Sequence, residues 1–526
     1  MASTASAPPV GSPAQGDSPP KSGLVLLALV VGAVVANINL GIANVALPTI
    51  GRDLEASQDQ LTSVANAFAL GLAATVLYLG ALGDRYGRKL LFVCGAVLTV
   101  PTSFLAAYAP TVEVLILARF LGGIAAALLF PTTLSLISAL YRNKAKVRSI
   151  ALWSGIGGGC AALGPVLAGW LLQFAWWGSV FLVTLPLVVV ALVAGWWVLP
   201  WHANEDRFAV DHVGGVLSVI GVGGLVLAIE HADAGLTPLV LWTLSISLVT
   251  LAVFFWRQTK ASRPLINLTF ARARTYWVAF VAGAITFGSL IGAMFIGQQF
   301  MQNVLGYSAL NSALVVLPSA VLTAVFGQVA GELIEKTGSR LSFALGLLAT
   351  GAAFLVMLVT WHPGTSLGWV ITAYALVGAG VGLAATPASR ALMASVPTQW
   401  SGMGSAGLDL TRDFGGAILQ AAMGGLLATA YAARMRADLA ALPPDQAQQV
   451  STSVAHQLTG SFEGSASVAA SFPDYAQQIL NAASTAFTDG KDAAIIVALA
   501  MSVIGFVLVV TVFPGKGKED AHYAQV

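Results

Sequence analysis

Read by its apolar and polar positions, the chain alternates long apolar runs with short polar breaks from Leu24 almost to its end. Runs lie near 24–47, 62–82, 90–109, 113–135, 148–173, 178–199, 213–231, 237–256, 277–299, 309–333, 341–361, 367–393, 403–432 and 492–513. Each is of the length a helix needs to cross roughly 30 Å of hydrocarbon. The pattern predicts an all-α polytopic membrane protein with fourteen spans. Two segments fall outside it. Residues 1–22 are mostly Ala, Ser, Pro and Gly, too poor in apolar surface to order themselves, and read as a disordered tail without the basic start of a cleaved signal. Residues 433–490 are polar and rich in Ala, Gln and Ser, broken by Pro443, Pro444 and Pro473. They read as a long external loop, with short helices in stretches such as 446–458, serving either as a cap over the outer mouth or as a solvated connector.

Composition agrees: 57% of the 526 residues are hydrophobic and 9% charged, against about 25% charged in a soluble domain. The net charge of +2 gives nothing for nucleic acid to bind. Nineteen of the 25 Lys and Arg fall in one set of alternate loops or at the span ends that meet them, four in the other set, and Arg119 and Arg412 deeper within spans. By the positive-inside rule both termini are expected in the cytoplasm, and the chain in the plasma (inner) membrane. Cys94 and Cys160 sit in apolar runs and the histidines lack ligand spacing, so neither a metal site nor nucleophilic catalysis has residues to build on. An enzyme is not expected, nor a cofactor. No G-x-x-x-x-G-K-[ST] loop is present, so any energy must come from a gradient.

The loop after the second span repeats after the tenth. Gly80-Ala-Leu-Gly-Asp84-Arg85-Tyr-Gly87-Arg88-Lys89 aligns with Gly331-Glu-Leu-Ile-Glu335-Lys336-Thr-Gly338-Ser-Arg340, 251 residues later. The match divides the chain into a six-helix bundle over 23–200, two linking helices over 201–264, and a second bundle over 265–526 that carries loop 433–490 and a cytoplasmic tail 514–526. Duplicated bundles suit exposure of a midplane site to each side in turn. One acid among several bases at a helix end, with glycines allowing the turn, can latch one conformation: Gly80, Asp84, Arg85, Gly87 and Arg88 in the first copy, Glu335 and Arg340 in the second. In the fifth span Gly159, Gly164, Pro165 and Gly169 predict a kinked helix in close contact with a neighbour, either as ordinary packing or as a moving interface.

The first of these loops resembles the signature of the major facilitator superfamily, G-x-L-a-D-r-x-G-r-k, with Gly83 in the usual Ala position. Arg119-Phe-Leu-Gly122-Gly123 in the fourth span and Gly159-x-x-x-x-Gly164-Pro165-x-x-Ala168-Gly169 in the fifth resemble motifs of its fourteen-helix drug:proton antiporter branch, as do Asn44-Val-Ala-Leu-Pro48 and Leu305-Gly306-Tyr307-Ser308. The resemblance implies the major facilitator fold with helices arranged 6+2+6. It also implies export of amphipathic compounds, driven by the proton gradient.

Ionisable side chains within spans are costly and mark function. Where the branch has an acid in the first span this chain has Asn39, which cannot carry a proton; Arg119 thereby loses a counter-charge, and its fork can bind carbonyls, an acid or an anionic head group. Asp409, Arg412 and Asp413 lie at i, i+3 and i+4 on one helix face, with acids where the branch has Asn and Gln. Two carboxylates around one Arg make a proton-coupling site; the alternative is a fixed Arg412–Asp413 packing bridge with Asp409 facing water. Phe68, Trp153, Phe287, Met294, Phe295, Gln298 and Phe326, on helices that line the cavity by analogy with the family, form the expected substrate pocket. The partners expected are amphipathic small molecules or lipids. Two further readings stand beside the exporter: a lipid translocase with weak or no proton coupling, and a transport-dead sensor that only binds.

Overall fold

The computed structural model describes residues 18–19, 21–141, 145, 149, 152–153, 164–201, 210–231, 237–261, 264–397, 401–443 and 450–525, and among these every regular element is helical. Thirteen of the described helices are long and apolar enough to cross a membrane. The first four are α1 (Ser22–Asp53), α2 (Gln58–Tyr86), α3 (Arg88–Ala107) and α4 (Val112–Leu140). Half of the fifth expected span, 148–173, lies outside the described residues, but 164–171 is helical and is labelled α5. There follow α6 (Ser179–Val198), α7 (His212–Glu230), α8 (Pro238–Gln258), α9 (Arg274–Gln299, continued by a π turn Phe300–Val304), α10 (Ala309–Thr337), α11 (Ser339–Thr360) and α12 (Leu367–Ala394). The last two are α13 (Ser401–Ala440) and α14 (Ala476–Val512).

Local chemistry sets several starts. Ser57 forms a reciprocal capping box with Gln60 at α2, and Ser308 accepts from the Asn311 N–H at α10. At the starts of α3 and α11 the repeat glycines Gly87 and Gly338 take φ of 112° and 83°, a region side chains avoid, which is why a Gly stands in each copy.

Packing repeats as the sequence does. The close pairs α2–α4, α3–α4 and α3–α6 recur as α10–α12, α11–α12 and α11–α14. Helices α7 and α8 pack on each other, and α7 also lies against α2 and α13. Lys89 is buried at the start of α3 and donates to the carbonyls of Trp196 (2.8 Å) and Leu199 (2.6 Å) at the end of α6. Its counterpart Arg340, at the start of α11, donates to the Val510 carbonyl near the end of α14. A cation thus meets a helix C-terminus, with its partial negative charge, at the same place in each copy.

The polar segment 433–490 departs from the expected loop. α13 runs on to Ala440 and α14 begins at Ala476, so both helices project well past their apolar lengths. Ala-rich polar sequence has high helix propensity, and outside hydrocarbon nothing requires it to be apolar. Between them lie two further helices, Thr452–Gly460 and Phe462–Ser471, capped by Ser451 and Ser461. Together they form a cap on the face opposite the basic loops, hereafter the far face. In the tail Lys516–Gln525 is helical, and the fully buried Glu519 accepts from the Ser339 N–H at 2.9 Å and its hydroxyl at 2.5 Å, capping α11.

Candidate functional site

Asp409, Arg412 and Asp413 come together one helical turn apart on α13. Asp413 is fully buried; its Oδ1 accepts from Arg412 Nε at 3.0 Å, while Oδ2 has no partner. Asp409 is 5% exposed, within the protein rather than open to water. The Arg412 guanidinium lies 4.3 Å from the Phe130 ring centroid on α4, so the α13 cluster touches the first bundle. Leu410 joins the same contact, packed with Phe68, Leu72, Val76 and Phe130.

Arg119 is buried in the first bundle. It donates through Nη1 to the Asn39 carbonyl (2.8 Å) and through Nε to the Val64 carbonyl (3.3 Å), and its guanidinium sits 4.8 Å from the Phe68 ring. The fork therefore joins α1, α2 and α4. Its Nη2 is unpartnered and borders a cavity of about 20 Å³, room for one water. The Asn39 side chain turns away, donating to Thr184 Oγ1 (3.2 Å) and the Val35 carbonyl (2.9 Å).

The expected pocket residues separate. Phe68 backs Arg119, and Trp153 donates to Thr133 Oγ1 at 2.9 Å with its ring against Phe130. Phe287 and Met294 are partly buried against the main core, and Met294 approaches Gly41 of the first bundle. Phe295 is fully buried core. Gln298 is also buried and donates to the Ser312 carbonyl at 3.1 Å. Phe326 is half-buried on α10, beside Gly382.

Around the first turn motif, Arg85 is exposed with its guanidinium 5.4 Å from the Tyr86 ring, and Arg88 donates to the Ser135 carbonyl at 3.1 Å. The Asp84 side chain lies outside the described parts, and Gly80 has open space around its Cα. In the second copy Glu335 offers its backbone carbonyl to Lys516 Nζ at 2.5 Å. Gly159 lies outside the described residues. Gly164 and Gly169 make close contacts: a Cβ on Gly164 would lie 3.0 Å from the Ile38 carbonyl oxygen of α1, and one on Gly169 2.6 Å from the Ala309 carbonyl oxygen of α10. Pro165 stands beside Gly41. α5 is thus wedged between the bundles.

The far face is sealed by polar contacts that sequence reading missed. Gln58 of α2 donates to Gln299 Oε1 at 3.0 Å, Gln302 to the Val45 carbonyl of α1 at 3.1 Å, and Ser461 of the cap to the Ala56 carbonyl at 3.1 Å. Glu463 is buried beside Gly51 of α1, with Oε1 accepting from Asn303 Nδ2 at 2.7 Å and Oε2 unpartnered. Burial pushes its carboxyl up to about 7, against the opposing pull of its own backbone N–H, Asn303 and Arg52. In a polar, Ser-rich stretch nothing distinguishes this Glu from a solvated one.

Residues 29–420 match the model of the Major Facilitator Superfamily. The chain belongs to that superfamily. It is a multi-pass membrane transporter, not an enzyme. The multidrug efflux pump LfrA of Mycolicibacterium smegmatis is 31% identical over 504 residues, covering 94% of this transporter and 98% of LfrA. The methyl viologen resistance protein SmvA of Salmonella typhimurium is 29% identical, over 88% of this chain and 92% of its own. Among solved structures, a bacterial homolog of the human lysosomal transporter Spinster superposes with a TM-score of 0.64 at 17% identity, covering 93% of this chain and 97% of that one. That likeness concerns the fold of the transporter.

Proposed function

We propose that this facilitator exports amphipathic drugs from the cytoplasm by alternating access, with inward proton movement as the energy source. Both termini and the basic loops then face the cytoplasm of the plasma membrane, the cap faces outward, and the halves are the six-helix bundles joined by α7 and α8. We place it in the fourteen-helix branch, whose mycobacterial member EfpA its sequence resembles. Efflux by LfrA and its kin supports the direction and the substrate class.

The observation that carries the reading is the α13 cluster. Asp413 holds Arg412 through one oxygen and leaves the other unpartnered, while Arg412 rests on Phe130 of the opposite half. A proton on Asp413 removes the charge that holds the guanidinium, and with it the support for the contact on Phe130. Asp409, one turn away, gives a second position for the proton. The coupling is a change in which half Arg412 grips.

Protein in liposomes with an imposed pH gradient tests it, using ethidium as the exported cation. Asp413→Asn is expected to abolish gradient-driven movement while leaving ethidium binding within about twofold, because the buried contact to Arg412 is lost only in part. Gradient-independent ethidium movement in the unaltered protein would overturn the coupling. Flip of a fluorescent phospholipid without a gradient, and no ethidium movement, would replace the exporter with a lipid translocase.

A further inference from the structure

The cap holds a cavity of about 430 Å³, well apart from the α13 cluster and from Arg119. It lies where α13 and α14 project past their apolar lengths, so lipid does not fill it, and its size is that of a site for a drug-sized molecule. Met435 and Leu439, one turn apart on the projecting part of α13, and Leu442 just past its end form one wall. Leu458 of the first cap helix and Ile479 of α14 close the others. Met435, Leu458 and Val468 are at the same time buried in the main core, so the walls are braced from behind while a space stays open in front of them.

The mouth specifies charge. Arg434 and Asp438 line the cavity and pair at 3.2 Å, and Asp489, one turn beyond the lining Thr485 on α14, pairs with the same guanidinium at 3.4 Å, so two carboxylates stand around one cation beside the mouth. Phe472 and Tyr475 also line it and remain 46% and 40% exposed, so their rings are accessible to an incoming group. Two carboxylates around one guanidinium and two accessible aromatic rings both favour a cation, and the apolar walls favour its hydrocarbon body.

We propose that the cap carries a second binding site, for amphipathic cations, on the outer surface of the transporter. Binding there is independent of whether the central pathway is proton-coupled. Anionic amphiphiles are excluded by the same carboxylates.

The test uses the full-length protein in lipid nanodiscs, without any gradient, and a dodecyl quaternary ammonium bearing a diazirine on its chain. After photolysis, labelled residues are mapped by mass spectrometry. Label is expected within 434–485, displaced by excess dodecyltrimethylammonium but not by dodecyl sulfate. Ala482→Trp, which fills the cavity from α14, is expected to abolish it. Asp438→Asn, an exposed change that leaves folding intact, is expected to weaken labelling by about fivefold, the upper range for one surface charge contact. Absence of label from 434–485, equal displacement by dodecyl sulfate, or label indifferent to Asp438→Asn would each overturn the proposal.

Discussion

Asn303 donates through Nδ2 to Glu463 Oε1 at 2.7 Å, joining the π turn after α9 to a buried carboxyl of the cap that also packs on Gly51 of α1. One carboxyl thereby sits between the two bundles and the cap at the sealed face. Arg52, Asn303 and Tyr431 face it from the neighbouring elements, and only Arg52 brings a formal positive charge.

The seating of the cap should therefore depend on pH. The folded pKa of about 7 exceeds the ordinary 4.5, so folding favours the protonated form. Stability from this group is fullest below about 4.5 and is lost as pH rises through about 7, after which it changes no further. Hydrogen exchange of residues 461–471, corrected for intrinsic rate, should be slower at pH 5.5 than at pH 8. Glu463→Gln should keep the slow exchange at both; unchanged pH dependence in that variant would assign the effect elsewhere.

Adjacent glycines on α4 should respond unequally to the same change. A Cβ on Gly123 would lie 2.1 Å from the Phe68 carbonyl oxygen, against 3.5 Å to the nearest Phe68 ring atom for one on Gly122. Gly123→Ala must push α2 and α4 apart and should cost about 1–3 kcal/mol, while Gly122→Ala should be near neutral. Thermal unfolding in detergent distinguishes the two, and equal melting temperatures would contradict the close contact.

Removing either of the paired cations should weaken its own bundle. Lys89→Met strands the carbonyls of Trp196 and Leu199, and Arg340→Met that of Val510. Each should cost about 1.5–3 kcal/mol, the range for hydrogen bonds to a charged group. Limited proteolysis should show new cleavage near 196–201 in the first variant and near 510–516 in the second. Cleavage at the same sites in both would mean the ends of α6 and α14 are not held separately.

Cutting the chain after Phe513 should destabilise α11, because Glu519 supplies the cap on Ser339. The loss should be about 1–2 kcal/mol, and Glu519→Gln should recover part of it relative to the truncation, since the amide oxygen still accepts. Equal melting of all three proteins would show that the tail helix adds nothing.

The spans were legible because hydrocarbon demands unbroken apolar length; α2, α6 and α12 begin and end within a few residues of the apolar runs. Length beyond the bilayer was not legible, since 433–440 and 476–491 are as polar as a loop and are helical for their alanines. The repeat placed Lys89 opposite Arg340 in sequence, but the carbonyls they hold come from helices some 110 and 170 residues away. The α13 acids stood out as charges among apolar neighbours. Glu463 had no such contrast, its setting being made by Gly51, Asn303 and Ser461 only once the chain had folded.

The cap is an insertion in one copy of a duplicated plan: between α13 and α14 stand two extra helices, whereas α5 and α6 are joined by the short turn 172–178. Everything it touches on α1 therefore holds the arrangement seen here and has no counterpart in the other copy. If the proposed exporter alternates, its two otherwise matched halves rock on an uneven balance, weighted toward closure at the far face, and a molecule that lifts the cap from α1 would speed opening without entering the central pathway at all.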